Sequence, residues 1–291
     1  MLRVAHGTVD SFELILVNDG SPDDSLQLAL KLQAADSRIR IVDLSRNFGH
    51  HAAIVAGLEH CRGEHVFLID CDLEEQPEWL PLFFQKMEET GSEVVFGTQQ
   101  ERVASPWSNW FGELFWTALN LMSNVRIPHN PMTCRLMSRR YVDALLKVGD
   151  RVLYLAGVFA WAGFSQTSIA LIKTPREKAH KSTYSLSRKL MQVADSFASF
   201  SVAPLSLIFV FGLTIWAGSI VVALGLLIYK LVYPAIVLSG FTSLMLSIWF
   251  LSGTIVLVLG ILGLYVSKIF QEVKRRPLFI VRNVYQGDSI E

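Results

Sequence analysis

Over its first hundred residues the chain alternates short apolar runs with longer stretches spaced for helices, and each apolar run ends in polar residues. Glu13 to Val17 runs into Asn18-Asp19-Gly20-Ser21. Ser21 can serve as an N-cap, Pro22 fits the first helical position, and Asp23 and Asp24 favour the positive end of a helix reaching about Ala35. Ile39 to Leu44 is a second strand, opening into Ser45-Arg46-Asn47-Phe48-Gly49-His50-His51 and a helix ending near Cys61. His65 to Asp70 is a third strand, Pro77 opens a helix to about Glu89, and Glu93 to Gly97 is a fourth strand. Strands alternating with helices at this spacing predict an α/β domain with a mostly parallel sheet, its ligand edge at the carboxyl ends of the strands.

The pattern changes in the C-terminal third. Residues 204–229 are almost uninterrupted apolar residues with no charge before Lys230, and residues 243–267 are similar. Each run is about 23–25 residues, enough to cross a hydrocarbon core of roughly 30 Å, so two transmembrane helices are expected. Trp216, Tyr229, Tyr233, Trp249 and Tyr265 include several residues near the expected ends, where interfacial aromatics belong. The link between the spans carries only Lys230, whereas the outer flanks carry Arg188 and Lys189 on one side and Lys268, Lys274, Arg275 and Arg276 on the other. The positive-inside rule then places both flanks, and with them the N-terminal domain, in the cytoplasm. Between Pro106 and Ser123, Trp107, Trp110, Phe111, Phe115 and Trp116 crowd a helix that suits either a core or a membrane interface.

Composition narrows the class further. The chain has 291 residues, of which 51% are hydrophobic, and a formal net charge of zero, so no global field points to nucleic acid as a partner. Cys61, Cys71 and Cys134 lack metal-ligand spacing and fit a reducing cytosol better than a disulfide framework. Met1 to Asp10 has no apolar core of the length a signal peptide needs.

The chemistry concentrates at Asp70-Cys71-Asp72, directly after the apolar run His65–Ile69. Two carboxylates one residue apart at a strand end present hard oxygen ligands where open α/β folds bind ligands, and Glu74 stands close enough to join them on a divalent ion against a diphosphate. Cys71 reads as a small buried residue facing away from that edge. Asp19 suits both a turn cap at Gly20 and a nucleotide contact. His50 and His51 read as solvated loop residues. The basic run from Arg176 to Lys189 could meet anionic lipid or an acceptor phosphate, and its position beside Tyr184 and the first span favours the phosphate.

The ordered set Asn18-Asp19-Gly20-Ser21, Asn47-Phe48-Gly49, Asp70-Cys71-Asp72-Leu73-Glu74-Glu75-Gln76-Pro77-Glu78, Arg135-Leu136-Met137 and Lys181-Ser182-Thr183-Tyr184, followed by two spans, resembles the family 2 glycosyltransferases that load sugars onto polyprenyl phosphates. The resemblance is to the dolichol-phosphate mannose synthase-like, bacterial two-span branch. It implies a GT-A (Rossmann-like) fold, a UDP- or GDP-linked nucleotide-sugar donor, an undecaprenyl-type polyprenyl-phosphate acceptor, Mg²⁺ or Mn²⁺, and transfer with inversion. By position it gives Asn18, Asp19, Asp70 and Asp72 to the nucleotide sugar, Asp72 and Glu74 to the metal, and Asp72 and Arg135 to catalysis. Arg176, Lys178, Lys181, Ser182 and Tyr184 would bind phosphate and acceptor. The implied setting is the bacterial inner (cytoplasmic) membrane, with membrane lipid as a further partner and a homo-oligomer compatible.

Three departures accompany the resemblance. Family members open with a strand and a Pro-x-Tyr-Asn-type loop, whereas Met1 to Asp10 resembles the tail of the helix that follows that strand, so an N-terminally truncated domain is expected. The family's Gly-Asp-Phe-Arg pattern reads Met132-Thr133-Cys134-Arg135, and an arginine that often follows the fourth strand is Gln99. The organisation expected is a GT-A domain over 1–168, a basic acceptor-binding segment over 169–203, the hairpin over 204–267 and a cytoplasmic tail over 268–291. The competing expectations are an inactive membrane scaffold and a transferase using another lipid acceptor.

Overall fold

Ile39–Leu44 (β2) is buried along its length except at Arg40, because strands flank it on both sides. Leu14–Asn18 (β1) pairs with it in parallel, Leu14 opposite Ile39 and Asn18 opposite Asp43. On its other edge Val281–Tyr285 (β7), from far along the chain, runs antiparallel, with Ile41 opposite Tyr285 and Asp43 opposite Asn283. In the computed structural model, residues 1–99, 128, 130–149, 155–172 and 240–286 are described, with scattered positions between 208 and 232.

A second sheet has the order β3 (His65–Leu68), β5 (Pro131–Ser138), β4 (Val94–Gln99), β6 (Gln166–Leu171). β5 is antiparallel to both of its neighbours, and β4 and β6 are parallel. The expected mostly parallel sheet is therefore corrected to two mixed sheets, with three antiparallel pairings against two parallel among the described residues. The cause lies in the later strands. Helical crossovers fix parallel direction only within the alternating N-terminal part, whereas β5 and β7 arrive from beyond it and insert in the opposite sense.

The helices of this α/β unit are α1 (Leu2–Thr8), α2 (Ser25–Ala35), α3 (His50–His60), α4 (Leu80–Thr90, entered through a 3₁₀ turn at Pro77–Trp79), α5 (Arg139–Leu146) and α6 (Leu155–Trp161). α2 begins at Ser25 with Asp24 as N-cap, not at Pro22 as the Ser21-Pro22 pair suggests. Side chains explain the delay. The Ser21 N–H donates to Asn18 Oδ1 (3.2 Å) and the Ser25 N–H to Asp23 Oδ1 (3.1 Å), so local turns compete with the first helical turn. One apolar cluster joins Leu80, Phe83 and Met87 of α4 to Val95, Met132, Cys134 and Leu136 of the second sheet. Another joins Val42 and Leu44 of β2 to Ala56 of α3, with Phe279 and Val281 packed against it.

The chain divides into two compact units, and the second contains α7 (Phe241–Lys274). Within residues 251–274 of α7 the most apolar 18-residue window has a mean hydropathy of 2.0 and none of it is buried, making α7 the one helix among the described residues long and apolar enough to cross a membrane. The expected span over 243–267 falls within α7. Of the span expected over 204–229 only isolated residues are described, including helical Val210 and Leu224, so the pairing of two spans in a hairpin is not shown. The aromatic stretch 106–123 and most of the basic segment, from 173 to 203, lie outside the described residues.

Candidate active site

The loops after β1, β2 and β3 meet at one edge of the α/β unit. Asp19, just past β1, spends its carboxylate on the backbone of the β2–α3 loop: Oδ1 accepts the Phe48 N–H (2.7 Å) and Oδ2 the Gly49 N–H (2.9 Å). Gly20 follows at φ +63°, and a Cβ there would stand 2.6 Å from both Arg46 C and Asn47 N. Only glycine lets the two loops approach this closely. Asn18 turns inward instead, its Nδ2 donating to Asp43 Oδ1 at 2.8 Å. The Asp43 carboxylate, 0% exposed, has a cation partner from β7: Arg282 Nη1 lies 3.5 Å from its Oδ2.

The acidic loop after β3 is exposed where the sequence places its ligands and buried just beyond. Asp72 is exposed and its Oδ1 accepts the Glu74 N–H (3.1 Å), while Leu73 between them sits at φ +64° and Glu74 is half-buried. Cys71 is exposed, a correction to the expected buried orientation; the loop leaves the strand at Leu68, so strand alternation no longer sets its direction. The fixed point of the loop is Glu75, 1% exposed. Its Oε2 accepts the Asp70 N–H, and its Oε1 accepts the N–H groups of Thr133 and Cys134, all at 3.2 Å. One buried carboxylate thus ties the acidic loop to β5. Across the edge, His50 Nε2 at the start of α3 lies 3.5 Å from Asp70 Oδ1, so this histidine contacts the acidic loop.

Arg135 on β5 is 4% exposed. Its Nε donates to Thr133 O and its Nη2 to Met132 O, both at 3.2 Å, and the guanidinium lies 3.4 Å from the Phe159 ring centroid. Burial pulls its pKa down to about 10, and burial likewise pushes the neighbouring Tyr141 phenol up to about 12. The Tyr141 hydroxyl donates to the backbone oxygen of Phe159 at 2.8 Å, holding the main chain of the residue whose ring faces Arg135.

Of the residues expected to act together, the structure gathers Asn18, Asp19, Asp70, Asp72 and Glu74 around one loop cluster and sets Arg135 behind it, in the β5 wall. Arg176, Lys178, Lys181, Ser182 and Tyr184 lie outside the described residues. Among the described residues no three His, Cys, Asp or Glu side chains converge as a ready metal cage. The donor set is still of a suitable kind. Two carboxylates on a loop, completed by substrate phosphates and water, match how Mg²⁺ is usually held. The sequence reading missed Glu75, Asp43 and Arg282. A signal existed for Asp43, a charge inside an otherwise apolar strand that must find a partner when buried; Glu75 is hidden by its equally acidic neighbour.

Comparison with known proteins agrees with this architecture. Residues 2–146 match the model of glycosyl transferase family 2. The chain is 39% identical over 276 residues to a Mycobacterium tuberculosis (strain CDC 1551 / Oshkosh) protein whose name is that of a glycosyltransferase, covering 95% of this chain and 80% of that one. It is 30% identical over 282 residues to the SfII prophage-derived bactoprenol glucosyl transferase of Shigella flexneri (95% and 89% covered). To the undecaprenyl-phosphate 4-deoxy-4-formamido-L-arabinose transferase of Pseudomonas syringae pv. syringae (strain B728a) it is 29% identical over 280 residues (96% and 82%).

Proposed function

We infer the function from one premise: the chain belongs to glycosyl transferase family 2. It is a transferase of GT-A-like fold, and we propose that it moves a sugar from a nucleotide-sugar donor to a polyprenyl phosphate, with inversion at the anomeric carbon. The observation that carries this reading is the meeting of the Asp19 loop, the β2–α3 loop and the Asp70–Glu75 loop at one edge, in a chain whose relatives are named for bactoprenol and undecaprenyl-phosphate sugar transfer.

The acceptor phosphate is anionic at neutral pH, so its oxygen attacks the anomeric carbon without a strong general base. The barrier lies in the departing nucleoside diphosphate, whose charge must be neutralised as the bond breaks. Asp72 and Glu74 would hold Mg²⁺ or Mn²⁺, which supplies that neutralisation when bound. Asp19 and Asn18 shape the donor loop from beneath, and Glu75 fixes the loop that carries Asp70 and Asp72. Arg135, buried and bonded to Thr133 O and Met132 O, stiffens the β5 wall behind the loops. In the basic segment, Arg176, Lys178, Lys181, Ser182 and Tyr184 would hold the acceptor headgroup at the bilayer surface.

The setting proposed is the bacterial inner membrane with the catalytic unit in the cytoplasm. β7 supports a paired span. It follows α7 and is hydrogen-bonded into the sheet built from β1 and β2, which supports an even number of crossings between residue 172 and residue 281. If α7 crosses once, a second crossing lies earlier, where residues 204–229 are apolar.

The test is to incubate the purified chain with UDP- and GDP-sugars, polyprenyl phosphate and Mg²⁺ or Mn²⁺. Nucleoside diphosphate should be released only when the lipid phosphate is present, with the sugar recovered in an acid-labile lipid product. No lipid-dependent release from any donor would overturn the reading.

A further inference from the structure

We propose that Arg282, on the strand that follows α7, is a positioning residue for the donor-binding loops, acting through the buried Asp43 and the β2–α3 loop. This rests on the reading of those loops as the nucleotide-sugar site. Arg282 reaches two points at once: Nη1 lies 3.5 Å from Asp43 Oδ2, and Nη2 donates to Ser45 O at 2.6 Å. The Ser45 N–H in turn donates to Ile280 O at 2.9 Å, so both backbone groups of Ser45 are held by the segment around β7. Asp43 passes the constraint on through Oδ1, which accepts from Asn18 Nδ2; Asn18 Oδ1 then accepts the Ser21 N–H.

The loop of residues 45–49 is therefore gripped from two sides. Asp19 holds its far end at Phe48 and Gly49, and β7 holds its near end at Ser45. Gly20 packs against the middle, at Arg46 and Asn47. Removing the β7 grip leaves Asp43 buried without its cation and frees the end of the loop from which Asp19 takes its partners. A carboxylate buried without its counter-charge draws in water or shifts, and Asn18, bonded to its other oxygen, follows. The strand that closes the sheet thus sets the shape of a loop cluster more than two hundred residues earlier in the chain.

The test uses the full chain in detergent. Arg282→Ala should raise the donor KM roughly 5-fold to 50-fold, the scale of losing a charge-assisted contact to a buried partner, while the lipid-phosphate KM moves less than about twofold. Arg282→Lys, which can keep the charge beside Asp43 but not the fork that also reaches Ser45, should recover part of the loss. Amide exchange adds a readout independent of turnover: Phe48 and Gly49 should exchange faster in Arg282→Ala while β5 amides do not. If Arg282→Ala proves unfolded, Arg282→Gln and Arg282→Lys carry the same comparison. An unchanged donor KM, equal losses in both KM values, or unchanged exchange at Phe48 and Gly49 would overturn the proposal. A wild-type chain that neither binds nucleotide sugar nor transfers it would instead sink the functional reading, which separates the two failures.

Discussion

Glu75 shows how one side chain can govern an exposed acidic loop. It accepts three backbone N–H groups while almost wholly buried, so each oxygen is committed. Glu75→Gln keeps the shape but must turn an NH₂ group toward one of those donors. The expected cost is about 1–3 kcal/mol in denaturant unfolding of the detergent-solubilised chain. Transfer should fall as well, because the Asp70 N–H is one of the three; wild-type stability and turnover in Glu75→Gln would show that the clamp is dispensable. Asp72, by contrast, is exposed, and Asp72→Asn should leave folding unchanged while lowering turnover by about 100-fold or more, in line with the loss of a principal electrostatic stabiliser. Wild-type turnover of that variant at saturating Mn²⁺ would remove Asp72 from the metal site.

At the scale of elements, the first three strands and the helices between them were legible because apolar runs ended in turn-forming polar residues. Ile39–Leu44 matches its sequence-based limits, and the others shift by one or two residues. The same reading could not see β7, since Val281-Arg282-Asn283-Val284-Tyr285 carries three apolar or aromatic residues and pairs with a partner remote in sequence. Nor could it see which way β5 would run, a choice made by tertiary pairing. The acidic loop was legible as the turn that follows the third strand, but its anchor was not: Glu74 and Glu75 look alike in sequence, and only burial separates them. Phe279, entering β7, packs on the cluster of Val42, Leu44 and Ala56. Phe279→Ala should therefore destabilise the α/β unit by about 1–3 kcal/mol, below the range for a wholly buried phenylalanine, in a thermal or denaturant melt. For the basic segment, Lys181→Ala should insert normally yet lose transfer roughly 10-fold or more in neutral detergent, where no anionic bilayer competes as an explanation. Full transfer there would reassign Lys181 to lipid contact.

For the whole molecule the decisive feature is that both ends of the described chain contribute to one sheet. Thiol labelling from outside intact cells should reach a cysteine placed at residue 239 and miss one placed at residue 289. The reverse pattern would contradict an even number of crossings with the catalytic unit inside. α7 alone, read from length and hydropathy, gives no direction; the pairing of β2 with β7 places residues before and after α7 in one sheet.

That pairing also imposes a schedule on synthesis. Arg282 and Asp43 are 239 positions apart, and at about 5–20 residues per second the ribosome needs on the order of 10–50 s to make the intervening chain. Through that interval β2 has emerged with one edge still open, an edge able to pair with other chains. Only after α7 has been synthesised can the last strand reach its partner. If α7 crosses a membrane as proposed, a chain with an odd number of crossings would leave β7 on the opposite side and the buried Asp43 without Arg282, and completion of the sheet would then report correct insertion.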